Sequence, residues 1–319
     1  MKKNAFILCM LVILATACSN DDIEVQQPLD QGKSDYSTAK SAVTFAGEMN
    51  DVSVLIFGEE NNEYYYQKSI SSGWSVDGKV STLLALGNYK FLFIKSAGIN
   101  TSVFPNPLDD NSTFSSIKFE AKPNTGKTDY VLPVDEMWLP ETKKLADSVY
   151  TILDKTTVKN KLTRAVSKVV LHIKRASVVN GVITELPFEN NNNIMQNIDG
   201  ITLDILGVGE AVNIEGGIGK TNTLYTSKAA TITDEGFASF EGPFVFPPAV
   251  NDKATVHITV TPVNGSAFPE MKKTVEGYLE RNKKLEITLY VTATYQFINV
   301  NVDIEPISDE EDGDTGIWE

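Results

Sequence analysis

Cysteine and histidine are almost absent from this chain. Two cysteines, Cys9 and Cys18, and two histidines, His172 and His257, in 319 residues exclude a disulfide framework, a thiolate metal cluster and a multi-histidine metal site. Positive charge is scarce as well: 28 Lys and Arg stand against 42 Asp and Glu, a formal charge of −14. That is the wrong sign for tracking a phosphate backbone or an anionic membrane surface, so no nucleic-acid partner is expected. What remains is ordinary for a folded protein, 42% hydrophobic and 22% charged, and long enough for about two domains of ~100–200 residues.

Catalytic constellations are missing too. Gly219-Lys220-Thr221 has the end of a phosphate-binding loop, but Ile214 stands where that loop needs its first Gly, so a plain turn is the better reading. His172 and His257 lie in strand-like stretches whose apolar neighbours Leu171, Ile173, Val256 and Ile258 take the opposite face, which puts both imidazoles on outer sheet faces. Asp135-Glu136 and Asp21-Asp22 are paired only in sequence, because adjacent side chains of extended backbone point apart. Asp309 to Asp314 lacks the ligand spacing of an EF-hand and reads as a solvated acidic tail. Hence no metal, no cofactor and no enzymatic activity are expected. Trp74 and Trp138 read as core, with a sugar-stacking platform as the alternative.

The first residues carry an export signal. Lys2 and Lys3 precede an apolar run, Ala5 to Ala17, that is too short for a bilayer, which needs ~20 residues. The run ends in Ala15-Thr16-Ala17 directly before Cys18 and resembles a bacterial lipobox, whose Cys is acylated; Leu14 lies one position earlier than in the commonest form. Residues 1–17 are thus read as a lipoprotein signal peptide and 18–38, rich in Asp, Gln and Ser, as a flexible tether.

Strand signals then recur with turn residues between them, the pattern of antiparallel sandwiches. Asp51 to Phe57, Tyr64 to Ile70, a hairpin turn signal at Asp77-Gly78, Leu83 to Leu86 and Tyr89 to Ile94 form a first series. Residues 98–128 read as a long loop with one short strand near Ile117 to Phe119. Leu145 to Leu153 carries both helical spacing and β-branched residues, and either element fits. A second series runs from Lys168 to Ile173, through an Asn180-Gly181 turn signal, to Leu285–Val291. The two series divide near Val158 to Arg164, which predicts an all-β fold of two tandem antiparallel sandwiches, 39–158 and 159–293. Residues 294–319 follow, with a strand from Tyr295 to Ile307 in which Ile298, Val300, Val302 and Ile304 alternate with Asn299, Asn301, Asp303 and Glu305. A strand beyond two complete domains needs a groove to fill.

The lipobox before Cys18, the run Asp51 to Phe57 followed by Leu86-Gly87-Asn88-Tyr89-Lys90-Phe91, the stretch Leu162 to Val169 and the late Leu285 to Val291 together resemble the Bacteroidales fimbrial anchor and minor subunit family, the FimB/Mfa-type fimbrillins. The resemblance implies two transthyretin-like β-sandwich domains with an extra C-terminal strand, no catalysis, and an outer-membrane, surface-exposed lipoprotein whose partners are fimbrial stalk or minor subunits. It implies assembly by strand complementation, with Ile298, Val300, Val302 and Ile304 as the donor face; the other reading is that this strand completes its own domain. Stalk-type processing needs a cut before the first domain. The three arginines, Arg164, Arg175 and Arg281, all lie later, leaving Lys33 and Lys40 there, and this favours an uncut anchor. Arg164, where the second domain opens, is the candidate for an exposed protease site. A glycan-binding surface lipoprotein, or a tip adhesin meeting a host or bacterial ligand through 98–128, stands as the alternative.

Overall fold

The computed structural model describes residues 39–47, 52–96, 101–104, 108–159, 161–186, 198–227, 231–232, 238–266, 269–292, 294 and 296–307. Cys18, the signal peptide, the tether and the acidic tail lie outside the described residues. The strands of the first half are β1 (Lys40–Ala46), β2 (Ser53–Glu60), β3 (Glu63–Ile70), β4 (Lys79–Ala85), β5 (Gly87–Ser96) and β6 (Thr101–Phe104). A 3-10 turn (Phe114–Ser116) precedes β7 (Lys118–Ala121), β8 (Tyr130–Val131) and β9 (Met137–Pro140). A short helix α1 (Lys143–Ala146) leads to β10 (Tyr150–Ile152), β11 (Thr156–Lys159) and β12 (Leu162–Arg164). Next come β13 (Ser167–Val179), β14 (Val182–Glu185), β15 (Ile198–Val208), β16 (Ala211–Asn213), β17 (Gly216–Ile218) and β18 (Thr221–Ser227). The series closes with β19 (Thr231–Ile232), β20 (Ala238–Val245), β21 (Lys253–Pro262), β22 (Met271–Tyr278), β23 (Lys283–Val291) and β24 (Phe297–Pro306). The fold is all-β with packed sheets, as the strand pattern predicts.

The first half is layered because its middle sheet is apolar on both faces. In β2 the consecutive residues Val54, Leu55, Ile56 and Phe57 are all buried, and in β5 so are Phe91 to Ile94. Continuous runs of this kind mark a sheet covered on two sides. The sheet β12-β9-β5-β2-β3 therefore presents Val54, Ile56, Phe91 and Phe93 to the small sheet β11-β1-β4, where Val43 and Phe45 complete the cluster. Phe45 meets Phe91 and Phe93 edge to face, with ring centroids 4.9 and 5.8 Å apart. The opposite face, with Leu55, Phe57 and Leu92, packs on Phe114, Phe119, Val212 and Phe246.

In the second half, sheet β19-β20-β13-β23-β24 and sheet β22-β21-β15-β18-β8 close on a core that includes Leu171, Leu203, Val256, Phe240 and Ile287. Strand pairing links the halves at several places. Strand β8 adds to β18 in parallel, and β16 pairs with β7, so the β16–β17 hairpin lies against first-half residues. Gly217 lets the other side of this hairpin approach the second half's own backbone: a Cβ there would stand 1.8 Å from the Pro247 carbonyl oxygen.

Local turn signals fare unevenly. Asn180-Gly181 closes the β13–β14 hairpin as expected, with φ of 51° and 80°, the left-handed pair of a type I′ turn. At Asp77-Gly78 the chain does turn, and Gly78 has φ 68°, but no hairpin forms there: β4 pairs with β1, while β3 pairs with β2. Leu145 to Leu153 contains both competing elements in succession, the end of α1 and then β10. The Gly219-Lys220-Thr221 segment is a strand-to-strand turn between β17 and β18, and no helix follows to receive a phosphate.

Candidate functional site: the C-terminal strand and its groove

β24 is the edge strand of its sheet, hydrogen-bonded to β23 and to no other strand among the described residues. Antiparallel pairing sets Ile304 opposite Leu285, Val302 opposite Ile287 and Val300 opposite Leu289. The three β23 residues are fully buried, and the three β24 residues pack partly buried against the same core. Cross-strand apolar pairs of this kind contribute ~0.2–1 kcal/mol each. The outward residues Asn301, Asp303 and Glu305 are exposed.

The fourth expected position differs. The register slips between Tyr290 and Val291, so that Tyr290 pairs with Asn299 and Val291 with Phe297, leaving Ile298 as an extra residue in a bulge. A bulge reverses the alternation beyond it, and Phe297, not Ile298, joins the core. The Lys273 ammonium from β22 sits over the Phe297 ring, 3.3 Å from its centroid. At the other end Ile307 is 5% exposed, and its N–H donates to the Asn282 carbonyl at 3.2 Å. Bulge and plug were not visible in the alternation pattern.

The turn that holds Ile307 also clasps the first half. Arg281 donates through Nη2 to the carbonyls of Leu139 (3.0 Å) and Pro140 (2.8 Å), and through Nε to that of Arg164 (3.2 Å). Burial pushes its pKa down to about 10, opposed by nearby Glu141. No motif marked this residue; its partners are carbonyls more than a hundred residues away.

Arg164 is not the exposed basic site that its position at the domain opening suggests. It is 2% exposed, ion-paired with Glu136, and its guanidinium lies 4.4 Å from the Trp138 ring centroid. The reason is that the segment is strand rather than linker: Arg164 is paired with Trp138 in β12–β9. Trp138 therefore has Arg164 on its ring, with Lys95 at 5.8 Å, and Trp74 is tied by its indole N–H to the Val52 carbonyl at 2.8 Å. Neither is an open platform.

The two histidines part company. His257 is exposed, with Nδ1 2.8 Å from the Thr274 hydroxyl. His172 is buried, at 8% exposure, contrary to its expected surface placement, since neighbouring side chains cover the outer face of β13. Its Nε2 lies 3.3 Å from Glu286, and burial is the main cause of a lowered pKa. Among the described residues no group of three or more His, Cys, Asp or Glu could hold a metal ion.

The family model for fimbrillin-A associated anchor proteins Mfa1 and Mfa2 matches residues 29–308. No curated protein matches the sequence. Among solved structures, a candidate adhesin from Bacteroides ovatus is 12% identical with a TM-score of 0.53, covering 85% of this chain and 96% of its own. A candidate polysaccharide-binding protein from Bacteroides thetaiotaomicron VPI-5482 is 12% identical with a TM-score of 0.50, covering 85% and 99%. The fimbrial anchor protein Mfa2 from Porphyromonas gingivalis is 9% identical with a TM-score of 0.47, covering 84% and 99%. At such identities the first two matches establish a shared fold and nothing finer. The family match spans most of the sequence, including every described strand from β1 to β24, and the chain belongs to the family of fimbrillin-A associated anchor proteins Mfa1 and Mfa2.

Proposed function

We propose that this chain is a non-enzymatic, fimbrium-associated surface protein, an anchor or accessory subunit that contributes to adhesion. It is held in the outer membrane through acylated Cys18 and joined to a neighbouring subunit by exchange of β24. The observation that carries this reading is the setting of β24: an edge strand with one ladder, an apolar face of Val300, Val302 and Ile304 matched to a fully buried row on β23, and a polar face in solvent. A strand so held is complete in backbone hydrogen bonding only on one side, and the same groove accepts an equivalent strand from another subunit. Residues 39–158 and 159–293 are in this reading the two sandwich units, clasped by Arg281. That no arginine precedes the first sandwich, with Lys33 and Lys40 the basic residues there, supports a chain that keeps its N-terminal segment and its lipid.

The test compares the full chain with a version ending at Ala293, both recovered from cell surfaces, with mass spectrometry of the mature N-terminus and of co-purifying proteins. An acylated Cys18, and fimbrial subunits that accompany the full chain but not the shortened one, are the expected result. A synthetic peptide of residues 294–307 should rebind the shortened protein, which separates an empty groove from a collapsed fold. Recovery of the same subunits with both versions would overturn strand exchange, and an unmodified Cys18 would overturn the lipid anchor.

A further inference from the structure

A cleft of about 200 Å³ lies in the first half, away from β24. Five separate segments build it: β3, β5, the 3-10 turn, α1, and the β16–β17 turn from the second half. Its floor is apolar, formed by Phe114 and Ile117, which are 6% and 4% exposed, and by Ile214. Phe114 is itself fixed edge-on against Phe57, with centroids 5.2 Å apart.

Around that floor, hydrogen-bond donors and acceptors alternate. The Lys90 ammonium, with only 17% of its side chain exposed, donates to Asp147 at 3.0 Å and lies 5.1 Å from the Tyr64 ring centroid and 4.7 Å from that of Phe114. Lys143 is ion-paired with Glu215 across the mouth. The Ser115 hydroxyl donates to Glu63 at 3.4 Å. Asn213 spends its Oδ1 on the backbone N–H groups of Glu215 (2.8 Å) and Gly216 (3.1 Å), which leaves its amide nitrogen as the donor it offers to the cleft. Lys90 has one hydrogen-bonded partner among the described residues, so two of its N–H groups remain to be satisfied.

We infer that this cleft binds one ring of a neutral saccharide. Both lysines already have carboxylates, so an anion must compete with Asp147 or Glu215 for their charge. The residual charge of the lining, from Glu63, is negative and disfavours anions further. A neutral sugar needs no such exchange: its hydroxyls donate to carboxylate oxygens and accept from ammonium and amide N–H groups, while its C–H face covers Phe114 and Ile214. The volume is below the ~300–1,000 Å³ of pockets for drug-sized ligands, which suits a single ring at a chain end. This inference does not rest on strand exchange, and either can fail without the other.

The probes are methyl β-D-glucopyranoside and methyl α-D-mannopyranoside as neutral rings, N-acetylneuraminic acid as an anion and ethanolamine as a cation, each titrated into the full mature chain by NMR saturation transfer. At least one neutral glycoside should bind saturably, and the two ions should not. Tyr64→Phe keeps the ring beneath Lys90 and removes only the hydroxyl, while Asn213→Asp keeps the turn's acceptor and removes the amide donor. Each should weaken the sugar about fivefold, the loss of one ordinary hydrogen bond, without moving the thermal midpoint. Absence of saturation with both neutral rings, equal binding by either ion, or unchanged affinity in both variants would each overturn the assignment.

Discussion

The first and last described strands, β1 and β24, of seven and ten residues, are opposite in setting. β1 is gripped on both sides, in parallel by β11 and antiparallel by β4, and two of its residues, Val43 and Phe45, are fully buried. β24 has one ladder, and within the strand no described residue is fully buried. Both complete a sandwich, yet the chemistry of leaving differs. Removing β1 breaks two ladders and takes Phe45 out of an aromatic cluster, whereas removing β24 breaks one ladder and uncovers the apolar row Leu285, Ile287 and Leu289.

The same deletion made in each strand gives the sharpest contrast and the largest effect. Phe45→Ala should cost ~3–5 kcal/mol, the range for a buried phenylalanine that leaves a cavity, because Phe91 and Phe93 lose their edge-to-face partner. Phe297→Ala should cost roughly 1–2 kcal/mol, in keeping with a half-buried ring, with Lys273 released from it. Urea unfolding of the two variants measures this directly. Equal losses would mean that β24 is as integral to the core as β1, and the contrast would break.

Hydrogen exchange reads the same contrast without mutation. Amides of β24 that bond to β23 should exchange through local opening, at a free energy well below that of global unfolding, while those of β1 should need the global transition. The expected gradient has an internal marker. The Ile307 N–H, bonded to Asn282 beside the Arg281 clasp, should be slower than amides near the bulge at Ile298. Protection of β24 equal to that of β1 would argue against a strand poised for exchange.

Much of this architecture is readable along the chain, and the failures share one cause. The continuous apolar runs in β2 and β5 declare a doubly covered sheet, and Asn180-Gly181 declares its hairpin, because in both cases the signal and its structural consequence are local. The alternation of Val300, Val302 and Ile304 declares a half-buried strand for the same reason. Ile298 misleads because a bulge is decided by the partner strand, and one inserted residue reverses which side chain faces the core. Arg164 misleads because its burial comes from Glu136, Trp138 and Arg281, none of them near it in sequence. Asp77-Gly78 turns as its residues require, but which strands then pair is a long-range matter. The cleft is the extreme case: its polar groups come from five segments, and no window of sequence contains two of its ion-paired partners together.

The smallest expected effect concerns the sheet behind β24. His172 lies on β13, beside Thr288 of β23, so it samples the part of the second half that is buried on both faces. Burial lowers its pKa from 6.5; Glu286 opposes that shift, and Lys284 and Lys174 add to it. In the unfolded chain the imidazole takes up a proton near 6.5, whereas in the folded chain it does so only at lower pH. The unfolded state therefore binds more protons in that window, and stability falls as pH drops below 6.5 toward the folded value. His172→Gln should flatten this part of the pH dependence while leaving stability above about pH 7.5 nearly unchanged. Were the slope to persist in the variant, the acid-sensitive group would lie elsewhere, and the doubly buried face of β13 would tolerate a charge that the contrast with edge strand β24 says it should resist.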